Sequence, residues 1–166
     1  MTADTESRPA RSVLLTGGSK GIGRAIAEYF AAAGHKVAAT YRSGDVPAGV
    51  LGVRCDVTDA EQVDAAFTEV EAAHGPVEVL IANAGITADN LMVRISDEDW
   101  DKVIQTNLTG SFRVARRAAR PMMRARFGRL IFISSESAQN IPVEMIHYGV
   151  SKAALQALSR GYAKAL

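Results

Sequence analysis

The sequence predicts an α/β domain built on a mostly parallel, doubly wound sheet with helices on both faces, and three observations carry that prediction. Five short apolar runs alternate with amphipathic helical patterns along the chain. The runs lack the polar alternation of a sheet with one wet face, so each reads as a strand buried on both sides. A glycine-rich turn joins the first run directly to the first helix. At 166 residues, 48% of them apolar and 22% charged, the chain is long enough for one domain with a sizeable core.

Residues 1–11, MTADTESRPAR, are polar and read as a disordered tail, leaving 12–166 as the folded domain. Val13, Leu14 and Leu15 open the first strand. Ile22, Ile26, Phe30 and Ala33 recur at helical steps and form the first helix. Val37-Ala38-Ala39 and Val50-Leu51 with Val53 supply the second and third strands. Val63, Phe67, Val70 and Ala73 mark the next helix, and Asp59 with Gln62 three residues on resembles a capping box. Val79-Leu80-Ile81 is the fourth strand. Ser96, followed by Asp97, Glu98 and Asp99, offers a cap and an acidic first turn for a third helix. Helices over roughly 110–125 and 149–165 flank a fifth strand at Leu130-Ile131-Phe132-Ile133. No repeat, low-complexity tract or linker interrupts this order.

Composition excludes several function classes. A net charge of +1 argues against a duplex-binding protein that depends on a strong positive field. Cys55 is the sole cysteine, so neither an intrachain disulfide nor a multi-thiolate metal site can form, and no metal-ligand spacing is present. No apolar run approaches the ~20 residues of a membrane span. A cytoplasmic protein, binding neither membrane nor nucleic acid, is the expectation. His35 and His74 fall at helix ends, where positive charge suits the dipole. His147 reads as structural.

The turn after the first strand has the spacing T-G-x-x-x-G-x-G, with Gly17, Gly21 and Gly23. One glycine permits the tight turn, another lets backbone approach a pyrophosphate, and a third allows close helix–strand packing. The helix start offers free N–H groups to an anion. Glycines kept for sterics alone are the alternative. The second strand ends Thr40-Tyr41-Arg42 with no acid before Asp45, whereas NAD sites place an acid there for the ribose 2′-hydroxyl. Arg42, aided by Lys20, suits a 2′-phosphate, so NADP(H) is the predicted cofactor. A solvated loop charge is the plainer role for Arg42.

Tyr148 and Lys152 stand four apart at the start of the last helix and share a face. A nearby ammonium favours the phenolate and brings tyrosine toward useful proton transfer. Ser135 follows the fifth strand, on the rim where ligands sit in parallel sheets. Together with TGGSKGIG at 16–23, Asp56-Val57, Asn83-Ala84-Gly85 and Asn107, this order resembles the short-chain dehydrogenase/reductase family over nearly the whole chain after residue 11. The resemblance implies a Rossmann fold and an NADP-dependent oxidoreductase. It implies that Tyr148 is the proton donor, that Ser135 holds the carbonyl oxygen, and that Lys152 lowers the tyrosine pKa and binds the nicotinamide ribose. Asn107 would anchor a water of the proton relay. Gly17, Ser19, Lys20, Gly21, Ile22, Gly23, Arg42, Asp56, Val57, Asn83, Ala84 and Gly85 would line the cofactor cleft with Tyr148 and Lys152. Local capping by Asn107 and a simple turn at 83–85 are the alternatives.

Residues 86–110 and 127–131 look like the bacterial 3-oxoacyl-acyl-carrier-protein reductase branch, implying fatty-acid synthesis, a carrier-bound or small-molecule carbonyl substrate and a homo-oligomer, a tetramer in the family. Residues 134–153, with Glu136, Ile141, Pro142, Glu144, Met145 and His147 between serine and tyrosine, look more like other branches. An alcohol or sugar dehydrogenase and an inactive nucleotide-binding fragment therefore stand as alternatives. Arg113, Arg116, Arg117, Arg120 and Arg124 form a charged helix face, read as a solvated or subunit-contact face or as a dock for an acidic partner. The resemblance points to Arg126 and Arg129 for carrier docking. Family members continue past Leu166 with further strands. Without them the fifth strand is expected to be an edge, Ala154, Leu155 and Leu158 to be incompletely buried, and residues 1–166 alone to be poorly stable and inactive.

Overall fold

The computed structural model describes residues 9–166. Five parallel strands form one sheet: β1 (Ser12–Leu15), β2 (Lys36–Tyr41), β3 (Leu51–Arg54), β4 (Val79–Ala82) and β5 (Arg129–Phe132), in the order β3-β2-β1-β4-β5. The helices are α1 (Gly21–Ala32), α2 (Ala60–His74), α3 (Asp97–Ile104), α4 (Gly110–Ala125) and α5 (Ile146–Ala165). The doubly wound α/β sheet read from the sequence is thus the fold observed.

Alternation within β1 divides the core in two. Leu14, with Ala38 and Leu80 beside it, faces Val63, Phe67 and Val70 of α2 and Val114, Ala118 and Met122 of α4. Val13 and Leu15, with Val37, Ala39 and Ile81, face Ala27 and the partly buried Ile26 and Phe30 of α1. Every residue of β1 is buried, which is why its sequence shows no polar alternation. β5 differs, with Arg129 and Ile131 exposed, because it forms one edge of the sheet and pairs only with β4. Phe132 of β5 stacks on Tyr162 of α5, their ring centroids 6.1 Å apart.

Several local expectations change. Asp59 caps α2 by accepting the Glu61 and Gln62 N–H groups, but Gln62 does not close a capping box. Its side-chain amide donates to Asp59 Oδ2 and its Oε1 accepts from the Asp56 N–H, fastening the preceding loop instead. α5 begins at Ile146, earlier than 149, and has no side-chain cap to announce it. Between α3 and α4 the chain widens into a π-helical stretch, Gln105–Thr109, which nothing in the sequence signals. Leu155, expected to be incompletely buried, is 1% exposed because α5 packs on α3 and the π-helical stretch as well as on β5. Burial, followed by the charge of Lys36, pushes His74 below its ordinary pKa, so the helix-end cation expected there is disfavoured. His35 Nδ1 accepts the Arg11 N–H at 3.1 Å. Residues 1–8 of the expected tail lie outside the described residues, whereas Arg11 Nη1 donates to Glu78 Oε1 at 2.6 Å.

Candidate functional site

β1 is flanked by β2 on one side and β4 on the other, so successive connections diverge there and leave a crevice beyond the strands' carboxyl ends. Thr16 organises that crevice. Its Oγ1 accepts the N–H groups of Asn83 and Ala84, both at 3.0 Å, while Asn83 Nδ2 donates to the carbonyls of Thr16 at 2.9 Å and Gly17 at 3.0 Å. The end of β4 is therefore fastened to the glycine turn. Gly17 has φ of 74°, a left-handed conformation that suits glycine. A Cβ on Gly23 would lie 2.0 Å from the Gly17 carbonyl oxygen, so this contact exists only because residue 23 has no side chain. Lys20 occupies the N-cap of α1 without a side-chain cap bond, and the first turn carries no acid. Its amide donors remain available to an anion.

A cleft of about 320 Å³ opens over this turn. Gly17, Ser19, Lys20, Gly21, Ile22, Gly23, Arg42, Asp56, Val57, Asn83, Ala84 and Gly85 all line it, as does Thr106 from the π-helical stretch. Arg42, 57% exposed, has Asp56 Oδ2 at 3.6 Å as its ion-pair partner. Burial raises the Asp56 carboxyl, but hydrogen bonds from Thr58 and the charge of Arg42 outweigh it and hold the group below its ordinary range. Cys55 also lines the cleft, its thiol pushed up to about 11 by burial and then by Asp56 and Asp59.

The tyrosine–lysine pair stands beside this cleft on the first turns of α5. Lys152 is 4% exposed, and its Nζ donates to the Ile133 carbonyl at 2.7 Å. The ammonium lies 5.6 Å from the centroid of the Tyr148 ring, and burial pushes the Lys152 pKa below its ordinary value. Asn107 is fully buried. Its Oδ1 accepts the Ile86 N–H at 2.8 Å, and its Nδ2 donates to the Ile86 carbonyl and to Ser151 Oγ, each at 3.0 Å. Ser151 in turn donates to the Tyr148 carbonyl at 2.7 Å. Gly85 joins the two halves, since a Cβ there would meet Asn107 Oδ1 at 3.3 Å and Lys152 Nζ at 3.5 Å. Ser135 caps the short 3-10 turn Glu136–Ala138, its Oγ accepting the Ser137 N–H at 3.1 Å. No hydrogen bond joins Ser135 Oγ to the Tyr148 hydroxyl among the described residues. His147 is fully buried, with neither ring nitrogen partnered.

The sequence reading missed Thr40, Thr106, Ser111 and Ser151. Ser111 donates to the Asn107 carbonyl at 2.7 Å, and Thr40 Oγ1 accepts the Gly17 N–H at 3.3 Å. Their only signal is position beside a motif, which does not separate them from other small polar residues.

The family model for short chain dehydrogenase matches residues 11–166. The chain belongs to the short-chain dehydrogenase family. It is 51% identical over 168 residues to the 3-oxoacyl-[acyl-carrier-protein] reductase MabA of Mycobacterium bovis, covering 99% of this chain and 68% of that protein. The corresponding MabA of Mycobacterium avium is 51% identical over 162 residues, covering 96% of this chain and 64% of that protein. The reductase FabG of Escherichia coli is 38% identical over 159 residues, covering 91% of this chain and 65% of that protein. This short-chain dehydrogenase thus spans about two thirds of the length of these relatives. Among its described residues no group of three or more His, Cys, Asp and Glu could hold a metal ion, and no helix is long and apolar enough to cross a membrane.

Proposed function

We propose that this short-chain dehydrogenase reduces the 3-oxo group of an acyl thioester carried on acyl carrier protein, with NADPH as reductant. The join at Gly85 carries this reading: this residue lines the cleft that bears Lys20 and Arg42 and also lies against a buried lysine beside a tyrosine. The residues present suit NADP(H). The uncapped start of α1 and the backbone of Gly21 would take the pyrophosphate, with Gly17 leaving room for its approach, Arg42 and Lys20 the 2′-phosphate, and Asp56 and Val57 the adenine end. Bound there, NADPH supplies a hydride for the carbonyl carbon. Tyr148 gives its phenolic proton to the carbonyl oxygen, and Ser135 donates a hydrogen bond to that same oxygen. Lys152, fixed by the Ile133 carbonyl, stabilises the phenolate left on Tyr148. Asn107 holds the Ile86 backbone at the edge of the cleft and, through Ser151, the first turn of α5.

The substrate class is supported by the names of the relatives, all of them 3-oxoacyl-[acyl-carrier-protein] reductases. Arg126, in the left-handed conformation that ends α4, and the exposed Arg129 of β5 offer cations to an acidic carrier. Placement in the cytoplasm and assembly into homo-oligomers belong to the same proposal. NADPH oxidation is followed with acetoacetyl thioester, and NADP⁺ reduction with a panel of alcohols, on the 166-residue chain and on the product of its whole reading frame. Thioester-dependent oxidation in the whole-frame product, exceeding every alcohol, is the expected result. Thioester rates no better than background there would overturn the proposal, and faster turnover of an alcohol would reassign the chain to another branch.

A further inference from the structure

Arg42, assigned to the 2′-phosphate, has a long side chain that is 57% exposed and free to adopt many rotamers unless something holds it. Among the described residues, Asp56 is the one carboxylate within ion-pair distance of it, with Arg42 Nη1 3.6 Å from Asp56 Oδ2. The other carboxylate oxygen is committed elsewhere. Asp56 Oδ1 accepts the Thr58 N–H at 2.9 Å and the Thr58 hydroxyl at 2.8 Å. The backbone behind both side chains is tied down as well. The Cys55 N–H donates to the Tyr41 carbonyl at 3.0 Å, joining the end of β3 to the end of β2. The Asp56 N–H donates to Gln62 Oε1, also at 3.0 Å. With Oδ1 taken by Thr58, Oδ2 is the oxygen left to face Arg42. Arg42 and Asp56 line the cleft over the glycine turn, whereas Thr58 does not.

We propose that Thr58 is a positioning residue for cofactor choice: it orients the Asp56 carboxylate, and Asp56 in turn holds the Arg42 guanidinium in the cleft before NADP(H) arrives. This rests on the assignment of the cleft to NADP(H) and of Arg42 to its 2′-phosphate. A guanidinium carries five donors, so one edge stays with Asp56 while another meets phosphate oxygens. Ordering a rotamer-rich side chain in advance removes a cost that binding would otherwise bear. NADH lacks the 2′-phosphate and gains nothing from it. An exposed ion pair adds little to folding stability, so the consequence of this one lies in cofactor preference.

Fluorescence titration of NADPH and of NADH against Thr58→Val and Thr58→Ser tests this, in the product of the whole reading frame and again in its Arg42→Ala variant. Thr58→Val removes the hydroxyl but keeps the side chain's size, the backbone donor and the charge of Asp56. It should weaken NADPH about three- to tenfold and change NADH less than about twofold. Thr58→Ser keeps the hydroxyl and should keep the preference for NADPH. In the Arg42→Ala variant, Thr58→Val should change neither cofactor beyond about twofold, because nothing is left to position. Equal weakening of both cofactors by Thr58→Val would reveal a merely structural residue and overturn the proposal. So would an unchanged preference, or a loss of preference that persists without Arg42. Arg42→Ala weakening NADPH and NADH alike would remove the assignment of Arg42 and the proposal with it. A selective Arg42→Ala effect beside an inert Thr58→Val would overturn the positioning alone.

Discussion

Gly23→Ala probes the packing on which the glycine turn depends. The added Cβ would stand 2.0 Å from the Gly17 carbonyl oxygen and 2.6 Å from Asn83 Nδ2. Against an optimal separation of ~3.5 Å, the turn or the helix must retreat by about 1.5 Å. Overpacking of this kind costs ~1–3 kcal/mol. The retreat also breaks the bonds from Asn83 Nδ2 to the carbonyls of Thr16 and Gly17, each worth ~0.5–1.5 kcal/mol. A destabilisation of about 2–6 kcal/mol follows, a large share of the ~5–15 kcal/mol that holds a typical domain together. Displacing the backbone donors should also raise the NADP⁺ Kd at least about tenfold, the equivalent of one charge-assisted bond. Urea denaturation and isothermal titration read the two effects separately. Gly161→Ala is the control, because a Cβ there meets nothing within 4 Å and alanine favours a helix by up to ~1 kcal/mol. If Gly23→Ala matched Gly161→Ala in both urea midpoint and NADP⁺ affinity, the close contact would not be what shapes the turn.

Three further outcomes are expected. Arg42→Ala should weaken NADPH at least about tenfold while changing NADH less than about twofold, measured by fluorescence titration, because only the 2′-phosphate loses a charged partner. Equal weakening of both cofactors would show that Arg42 does not read that group. Burial raises the Glu78 carboxyl, but the bonds from Arg11 and the Ser12 N–H outweigh it and hold the group below its ordinary value of 4.5. A depressed carboxylate pKa contributes stability that is fully present above the unfolded value and is lost as pH falls through the folded one. Glu78→Gln should therefore flatten the decline of Tm below about pH 4.5, and an unchanged acid limb would contradict the pairing. Cys55, buried and with its pKa near 11, should react with iodoacetamide at pH 8 far more slowly in the native chain than in urea; equal rates would place the thiol in solvent.

Much of this molecule could be read from its residues because parallel sheets leave a strong signature. β1, β2 and β4 are buried on both faces, so Val13-Leu14-Leu15, Val37-Ala38-Ala39 and Val79-Leu80-Ile81 appear as unbroken apolar runs bounded by turns. The cleft over the glycine turn was legible for a related reason. Its residues follow the carboxyl ends of β1, β2, β3 and β4 at short offsets, so twelve turn and strand-end positions singled out in the sequence line one cleft. What escaped depends on contacts between distant segments. The π-helical widening at Gln105–Thr109 has no compositional mark, yet it lies where Asn107 reaches Ile86, twenty-one positions earlier, and Ser151, forty-four later. Leu155 looked incompletely buried because its partners on α3 and the π-helical stretch are invisible to a count of strands. His74 looked like a helix-end cation because the dipole is a local property, whereas its burial is set by the folded surroundings.

The central claim is that Tyr148 delivers the proton in an NADPH-dependent carbonyl reduction, and Tyr148→Phe in the product of the whole reading frame tests it most directly. The substitution removes one hydroxyl and keeps the ring beside Lys152. NADP⁺ affinity should stay within about twofold, and acetoacetyl-thioester turnover should fall by ~10²-fold or more, the usual contribution of a positioned proton donor. Retention of more than half the unsubstituted rate, in a variant whose NADP⁺ affinity and thermal unfolding match the parent, would contradict it.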